Sequence, residues 1–216
     1  MKQILTDQER AQLDQLIQQA EQRTKSQIVL AVVQRSDSFP EIPWKAFALF
    51  TSIAGLFVFL FNVLMPNWIT NVLILISIAA MLVLGAFFAL LTILVPGFAR
   101  LFLSASRAET ETRQYAVSVF FDRELFATAN RTGILLFVSQ FERQVVLLPD
   151  KGLTNRLGMD SLKRIITLMS PDLKKKKVKR AMETGLEALV KILEASPGDV
   201  PVGDELSNEI IEEKGA

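Results

Sequence analysis

The chain has 216 residues, half of them hydrophobic, and carries 24 Lys and Arg residues against 23 Asp and Glu residues. It contains no His and no Cys, which excludes disulfides, thiolate catalysis and the commonest general base and transition-metal ligand. A net charge of +1 gives no overall attraction to nucleic acid, so a nucleic-acid partner is not expected.

The first predicted elements are a helix over residues 7–24 and a strand over residues 27–34. Thr6 and Glu9 are spaced as a capping box, and apolar residues follow at the helical period. The strand, QIVLAVVQ, is apolar nearly throughout, which predicts a central strand covered on both faces. Residues 36–43, SDSFPEIP, contain two prolines and are therefore predicted to be a linker.

Two apolar runs follow, at residues 46–65 and 72–95, and no charged residue occurs from residue 46 to residue 99. As helices, both runs are long enough to cross about 30 Å of hydrocarbon. The alternative is a hydrophobic hairpin inside a soluble core, but the rest of the chain is too small to cover it. We therefore predict two membrane spans joined by a turn at residues 66–68, with Trp68 at the interface.

A helical hairpin returns the chain to the side of the membrane from which it left. Lys45 precedes the first run, Arg100 and Arg107 follow the second, and the turn is uncharged. The positive-inside rule then predicts an inner or plasma membrane protein with its soluble domain and both termini in the cytoplasm. Gly55 and Gly85 are expected to pack the two spans together.

Behind the spans, a helix is predicted over residues 104–129, with Arg107 and Glu111 spaced for an i, i+4 ion pair. Two strands, residues 134–138 and 145–148, are joined by a polar turn. Their consecutive apolar positions predict helices on both faces of the sheet. The last predicted helices cover residues 160–169 and 175–194.

Neither soluble segment makes a stable unit alone, so the early strand is predicted to join the later hairpin in one sheet. The fold class is α/β, a small three-layer sandwich with a central sheet and an inserted two-helix transmembrane hairpin. The predicted organisation is residues 1–44 as the first part of the domain, 45–100 as the hairpin, 101–195 as the second part, and 196–216 as an acidic, partly mobile tail.

Three segments, EQRTKSQIVLAVVQRSDSF, FATANRTGILLFVSQFERQVVLLPDKGL and DELSNEI, resemble the TPM domain family, and specifically its bacterial membrane branch. The resemblance covers residues 4–45 and 104–212 and implies a TPM-like fold split by a transmembrane pair. Relatives include a thylakoid protein with acid phosphatase activity, and others linked to divalent-cation binding or to auxiliary subunits of membrane receptors. LemA-type proteins are implied as partners by family association.

Asp150, in Pro-Asp-Lys-Gly after a strand, is the candidate carboxylate ligand for a hard cation such as Ca²⁺ or Mg²⁺. The same four residues also suit a turn that binds nothing. Further candidate ligands are Asp122, Glu124, Asp204 and Glu205, although their spacing does not demand a metal.

Two other polar sites could have either a structural or a functional role. Thr132-Gly133 is predicted to form a sharp turn, because glycine accepts backbone angles that other residues resist. Relatives that bind cations commonly have an acidic residue before this glycine, whereas residues 130–132 here are Asn-Arg-Thr. Glu142-Arg143 is either a polar pair at the edge of a pocket or a solvated ion pair of little energetic value.

The densest charge cluster comprises Lys174, Lys175, Lys176 and Lys177, followed by Lys179 and Arg180. One interpretation is a solvated helix start. The other is contact with anionic lipid head groups, which attract basic residues near the membrane surface. No aromatic stacking residues accompany the lysines, so the cluster does not favour nucleic-acid binding.

Two function hypotheses follow. No Walker loop, dinucleotide-binding loop or nucleophile elbow occurs in the sequence, and catalytic residues stay unassigned. The first hypothesis is a non-enzymatic accessory that binds other membrane proteins in assembly, maintenance or turnover. The alternative is a metal-assisted phosphatase acting on phosphomonoesters.

Overall fold

The computed structural model describes residues 4–65, 70–128, 130–195 and 210–215. The chain forms two compact units, one made of Met1–Asp37 and Ser106–Ala216 and the other of Ser38–Ala105. The helices are α1 (Asp7–Thr24), α2 (Glu41–Leu64), α3 (Asn71–Leu94), α4 (Pro96–Ala99), α5 (Ala105–Asp122), α6 (Met159–Lys174) and α7 (Val178–Ala195). The strands are β1 (Gln27–Arg35), β2 (Gly133–Ser139), β3 (Gln144–Pro149) and β4 (Ile211–Gly215).

The four strands form one sheet in the order β3-β2-β1-β4. β1 runs parallel to both β2 and β4, whereas β3 is antiparallel to β2. Seven residue pairs join β1 to β2, from Gln27 opposite Gly133 to Val33 opposite Ser139. The prediction that the segments flanking the apolar runs share one sheet is therefore confirmed.

Helices cover both faces of this sheet, which confirms the three-layer α/β architecture. Along β1, alternate side chains enter two separate cores: Leu30 faces a cluster with α1, α6 and α7, and Ala31 faces a cluster with α5. Because successive strand residues point to opposite faces, a strand buried on both sides is apolar at every position. This explains the unbroken hydrophobic runs of β1 and β2.

β4 lies within residues 196–216, the segment that the sequence predicts to be an acidic, partly mobile tail. Glu212 accepts a hydrogen bond from the N–H of Ile4 at 2.5 Å and pairs with Arg10. The next residue, Glu213, accepts a hydrogen bond from the Tyr115 hydroxyl at 2.7 Å. The alternating glutamates thus tie β4 to the segment around α1 on one side and to α5 on the other. Residues 196–209 and 216 lie outside the described chain.

In the second unit, α2 and α3 pack as an antiparallel hairpin. The rings of Phe50 and Phe88 stack with centroids 3.5 Å apart. A Cβ on Gly85 would lie 2.1 Å from Thr51 Oγ1, so only glycine allows this approach. The prediction that Gly85 packs the two helices together is confirmed. The predicted turn, including Trp68, lies outside the described residues.

Both hairpin helices have 24 residues and are long and apolar enough to cross a membrane. α2 begins at Glu41, earlier than predicted, because Pro40 and Pro43 fall at its start, where the first turn tolerates proline. The two ends of the hairpin lie side by side, since Lys45 Nζ is 3.4 Å from the carbonyl oxygen of Phe102.

Other boundaries shifted for local reasons. The helix predicted to end at residue 129 ends at Asp122, because Glu124 adopts a left-handed conformation with φ of 51°. α6 continues through Pro171 to Lys174, and the Ser170 hydroxyl hydrogen-bonds the carbonyl of Ile166 one turn earlier at 2.7 Å. The capping box of Thr6 and Glu9 is present as predicted.

Candidate functional site

The sheet topology separates the predicted polar sites to opposite edges. β1 and β2 are parallel, so their carboxyl ends meet at one edge, the usual position for ligand groups in α/β domains. Asp150 follows β3, which is antiparallel, and its N–H donates to the carbonyl of Gly133 at 2.8 Å. Asp150 therefore lies beside the start of β2, at the edge opposite to the carboxyl ends of β1 and β2.

Arg131 engages both oxygens of the Asp150 carboxylate. Arg131 Nε lies 2.6 Å from Oδ2, and Nη2 lies 2.9 Å from Oδ1. Oδ1 also accepts from the N–H of Lys151 at 2.7 Å. The hydrogen bond from Arg131 raises the pKa of this guanidinium. Because the Asp150 side chain is only 4 % exposed, a cation would have to displace the guanidinium to reach it. Metal binding by Asp150 stays a prediction.

Of the other candidate metal ligands, the structure describes Asp122 and Glu124. Within the described residues, no group of three or more Asp, Glu, His or Cys side chains could hold a metal ion. Asp122, at the end of α5, and Glu124 are both exposed. Asp204 and Glu205 lie outside the described residues.

At the carboxyl edge of β1 and β2, the structure brings Glu142 together with Ser36 and Ser139, a grouping that the sequence did not predict. Glu142 is 7 % exposed; its Oε1 accepts from the N–H of Ser36 at 2.9 Å and its Oε2 accepts from the hydroxyl of Ser139. The interpretation of Glu142 as half of a solvated ion pair is therefore wrong. Burial raises the pKa of Glu142, while these hydrogen bonds and the charge of Arg35 act against the rise.

This cluster is closed to a substrate. Ser139 is fully buried and Ser36 is 5 % exposed. Arg35 lies over the ring of Phe141 with its Cζ 4.4 Å from the ring centre. The cluster therefore holds the turn after β2 against the end of β1, and a Ser–Glu pair without access to solvent is not a hydrolytic site.

Gly133 is required for space rather than for its backbone angle. A Cβ at this position would lie 2.3 Å from the carbonyl oxygen of Leu125. The left-handed residue of the turn is Arg131, with φ of 54°. The left-handed backbone angle expected at Gly133 thus occurs two residues earlier, at Arg131.

The lysine run begins at Lys174, the last residue of α6, and continues through the turn that leads to α7. Lys174, Lys175, Lys176 and Lys177 are all exposed. Along the parts of the chain that the structure covers, none of these four side chains has an ion-pair partner. This arrangement fits a basic surface, and lipid contact stays a prediction.

Arg156 is a partly buried cation that the sequence did not single out. Its Nη2 donates to the carbonyls of Thr24, at 3.0 Å, and Leu193, at 2.8 Å, near the ends of α1 and α7. Burial lowers the pKa of this guanidinium, but a cation at two helix C-termini is favourable. No sequence pattern signals this contact, because the three residues are far apart in the chain.

Comparison with known proteins agrees with this architecture. Residues 100–192 match the family model described as TPM domain. The NMR structure of the BA42 protein from the psychrophilic bacterium Bizionia argentinensis is similar, with a TM-score of 0.59 over 99 % of this chain and 98 % of that chain. The two sequences are 15 % identical, so this likeness shows the fold alone. No curated protein matches the chain. The chain thus carries a TPM domain match over residues 100–192, which confirms the resemblance to the TPM domain family, while its membrane branch stays a prediction.

Proposed function

We propose that this chain is a membrane-anchored TPM domain protein that binds other membrane proteins and assists their assembly, maintenance or turnover without catalysing a reaction. The observation that carries the proposal is the apolar surface of the α2–α3 hairpin. Leu64 is 75 % exposed, Phe57 69 % and Ile93 66 %. An apolar surface this continuous would be unstable in water and suits hydrocarbon or another protein.

The charges at the ends of the hairpin support a cytoplasmic position for the domain. Lys45 and Arg100 lie at the end where α2 begins and the chain leaves α3. Trp44, 72 % exposed, lies at the same end, and tryptophan favours the membrane interface. In this proposal the lipid bilayer is the first partner, and both termini are cytoplasmic.

The polar sites favour an accessory role over catalysis. The carboxylate of Asp150 is held by Arg131, and the Ser139–Glu142 pair is buried. The TPM domain match supports the phosphatase alternative, because the family resemblance implies relatives that are phosphatases. By the same resemblance, LemA-type proteins are the first partners to test.

The deciding experiment uses the purified full chain in detergent with a phosphomonoester and either Mg²⁺ or Ca²⁺. The accessory role predicts no turnover with either ion. Turnover that disappears in Asp150→Asn and persists in Asp160→Asn would instead establish the phosphatase. Asp160 is the matched control because it is an exposed aspartate in the first turn of α6.

Partner binding needs its own measurement. Crosslinking of the full chain in native membranes should capture a membrane protein, and the complex should form again when both proteins are purified. A complex that does not form again from the two purified proteins would contradict the accessory role.

A further inference from the structure

A polar cleft of about 460 Å³ lies between the start of α1 and the start of α7. The two helices lie side by side with their N-termini together. Lys179 Nζ contacts Gln12 Oε1 at 2.5 Å near the starts, and Arg23 Nε contacts Glu194 Oε1 at 2.7 Å near the ends. The residues that line the cleft are Ile4, Leu5, Glu9, Lys176, Lys177, Val178, Lys179, Arg180 and Glu183.

The two carboxylates of the cleft are already engaged. Glu9 completes the capping box of α1, accepting from the N–H of Thr6 at 2.9 Å, and this hydrogen bond lowers its pKa. Glu183 faces Lys179, with 3.4 Å between Oε1 and Nζ. Glu183 is thus paired with Lys179, whereas Glu9 keeps its negative charge, because its donors in Thr6 are neutral.

The cations of the cleft outnumber its carboxylates by two. Lys179 is matched by Glu183, and Arg180 faces Asp172 outside the cleft at 3.7 Å. Lys176 and Lys177 have no ion-pair partner among the residues that the structure describes. A phosphate group carries a charge of about −1.5 to −2 near neutral pH, which is opposite in sign to the charge of these two lysines.

The backbone that carries these two lysines is ordered by its own hydrogen bonds. The N–H of Lys176 donates to the carbonyl of Leu173 and that of Lys177 to the carbonyl of Asp172, both at 2.9 Å. The adjacent Lys174 and Lys175 are also exposed but do not line the cleft. The structure thus divides one run of four lysines into two inside the cleft and two outside it.

We propose that Lys176 and Lys177 bind a phosphate group in this cleft, either the phosphate of a lipid head group or a free phosphate. The ammonium group of lysine binds phosphate as a compact charge with three donors. Arg180, on the first turn of α7, adds a guanidinium to the same wall. A lipid head group can be the ligand only if the proposed membrane location is correct, whereas binding of free phosphate does not depend on that location.

Two double variants each remove two positive charges. One removes the two lysines inside the cleft, and the other removes the two lysines outside it. The full chain in nanodiscs of zwitterionic lipid is titrated with inorganic phosphate at constant ionic strength, and binding is followed by calorimetry. Lys176→Ala/Lys177→Ala should weaken binding at least about tenfold, because charge-assisted hydrogen bonds are lost. Lys174→Ala/Lys175→Ala should leave the affinity unchanged. All four side chains are exposed, so neither variant removes a core residue.

The source of the phosphate is found by repeating the titration in nanodiscs that contain phosphatidic acid. Nanodiscs with a fatty acid supply the same negative charge without phosphate. If the head group fills the cleft, only phosphatidic acid abolishes binding of free phosphate; if it does not, both lipids give the same affinity. Absence of saturable binding in zwitterionic nanodiscs, or equal weakening in both double variants, overturns the proposal.

Discussion

Glu142 accepts a hydrogen bond at 2.9 Å from the backbone N–H of Ser36, a residue 106 positions earlier in the chain. Ser36 directly follows β1, at the point where the chain leaves the sheet towards the α2–α3 hairpin. Glu142 belongs to the turn between β2 and β3. The contact therefore fastens the second soluble segment to the first at the place where the insertion begins.

The buried Glu142 predicts a dependence of stability on pH. Burial raises its pKa above the ordinary value of 4.5, so the folded protein holds this proton more tightly than the unfolded chain. Its contribution to stability is complete below pH 4.5 and is lost as the pH rises through the folded pKa. In Glu142→Gln this part of the decline should vanish, while the exposed Glu187→Gln should follow the parent protein. Thermal unfolding across this pH range is the measurement, and identical pH profiles for all three proteins would contradict the assignment.

Tyr115 is the single tyrosine of the chain, so its titration can be followed by phenolate absorbance without interference. Burial, the hydrogen bond to Glu213 and the charge of Glu213 raise the pKa of Tyr115 to about 12. We expect Glu213→Gln to lower this pKa, because a neutral acceptor no longer disfavours the phenolate. A tyrosine that titrates near pH 10 in the folded protein would mean that β4 does not dock beside α5.

Arg156→Met should lower the free energy of unfolding by about 2 kcal/mol, because hydrogen bonds from a charged donor to two buried carbonyl groups are lost. Methionine keeps most of the apolar stem, so the effect isolates the guanidinium. Arg164→Met, at an exposed position of α6, serves as the control and should change little. Chemical denaturation followed by circular dichroism compares the variants, and equal stabilities would refute the role of Arg156.

Gly85→Ala should destabilise the hairpin by about 1–3 kcal/mol, the usual cost of overpacking. The new methyl group would lie 2.1 Å from Thr51 Oγ1 and 3.0 Å from the ring of Phe47. Gly55→Ala is the matched control, since its methyl group would meet only Met81 Sδ at an ordinary 3.4 Å. Thermal stability in detergent should fall for the first variant alone; a larger loss in the control would contradict this packing.

The main elements were predictable from the sequence where a single physical cause dominates. β1 is buried on both faces, which requires apolar residues at consecutive positions and makes the strand recognisable. At the start of α1, the side chains of Thr6 and Glu9 accept hydrogen bonds from each other's backbone N–H groups. Because the two residues are three positions apart, the sequence alone reveals this capping box. The ion pair between Arg107 and Glu111, with 3.2 Å between the charged atoms, was likewise predictable because the two residues are four positions apart on a helix.

Features that depend on distant partners were not predictable. β4 has the sequence IEEKG, and it becomes a strand because β1 offers an open edge and because Glu212 and Glu213 find partners on other elements. Glu142 lies in a polar turn, and only the packing of Ser36 and Ser139 against it reveals its burial.

Our proposal that a membrane hairpin interrupts one cytoplasmic α/β domain can be tested directly, because the chain contains no cysteine. Single cysteines are introduced at Thr70, before α3, and at Arg164, on α6, both of which are exposed. An impermeant thiol reagent applied to intact cells should label Thr70→Cys, whereas Arg164→Cys should react only after the membrane is opened. Labelling of both variants in intact cells, or recovery of the protein in the soluble fraction after lysis, would contradict the account.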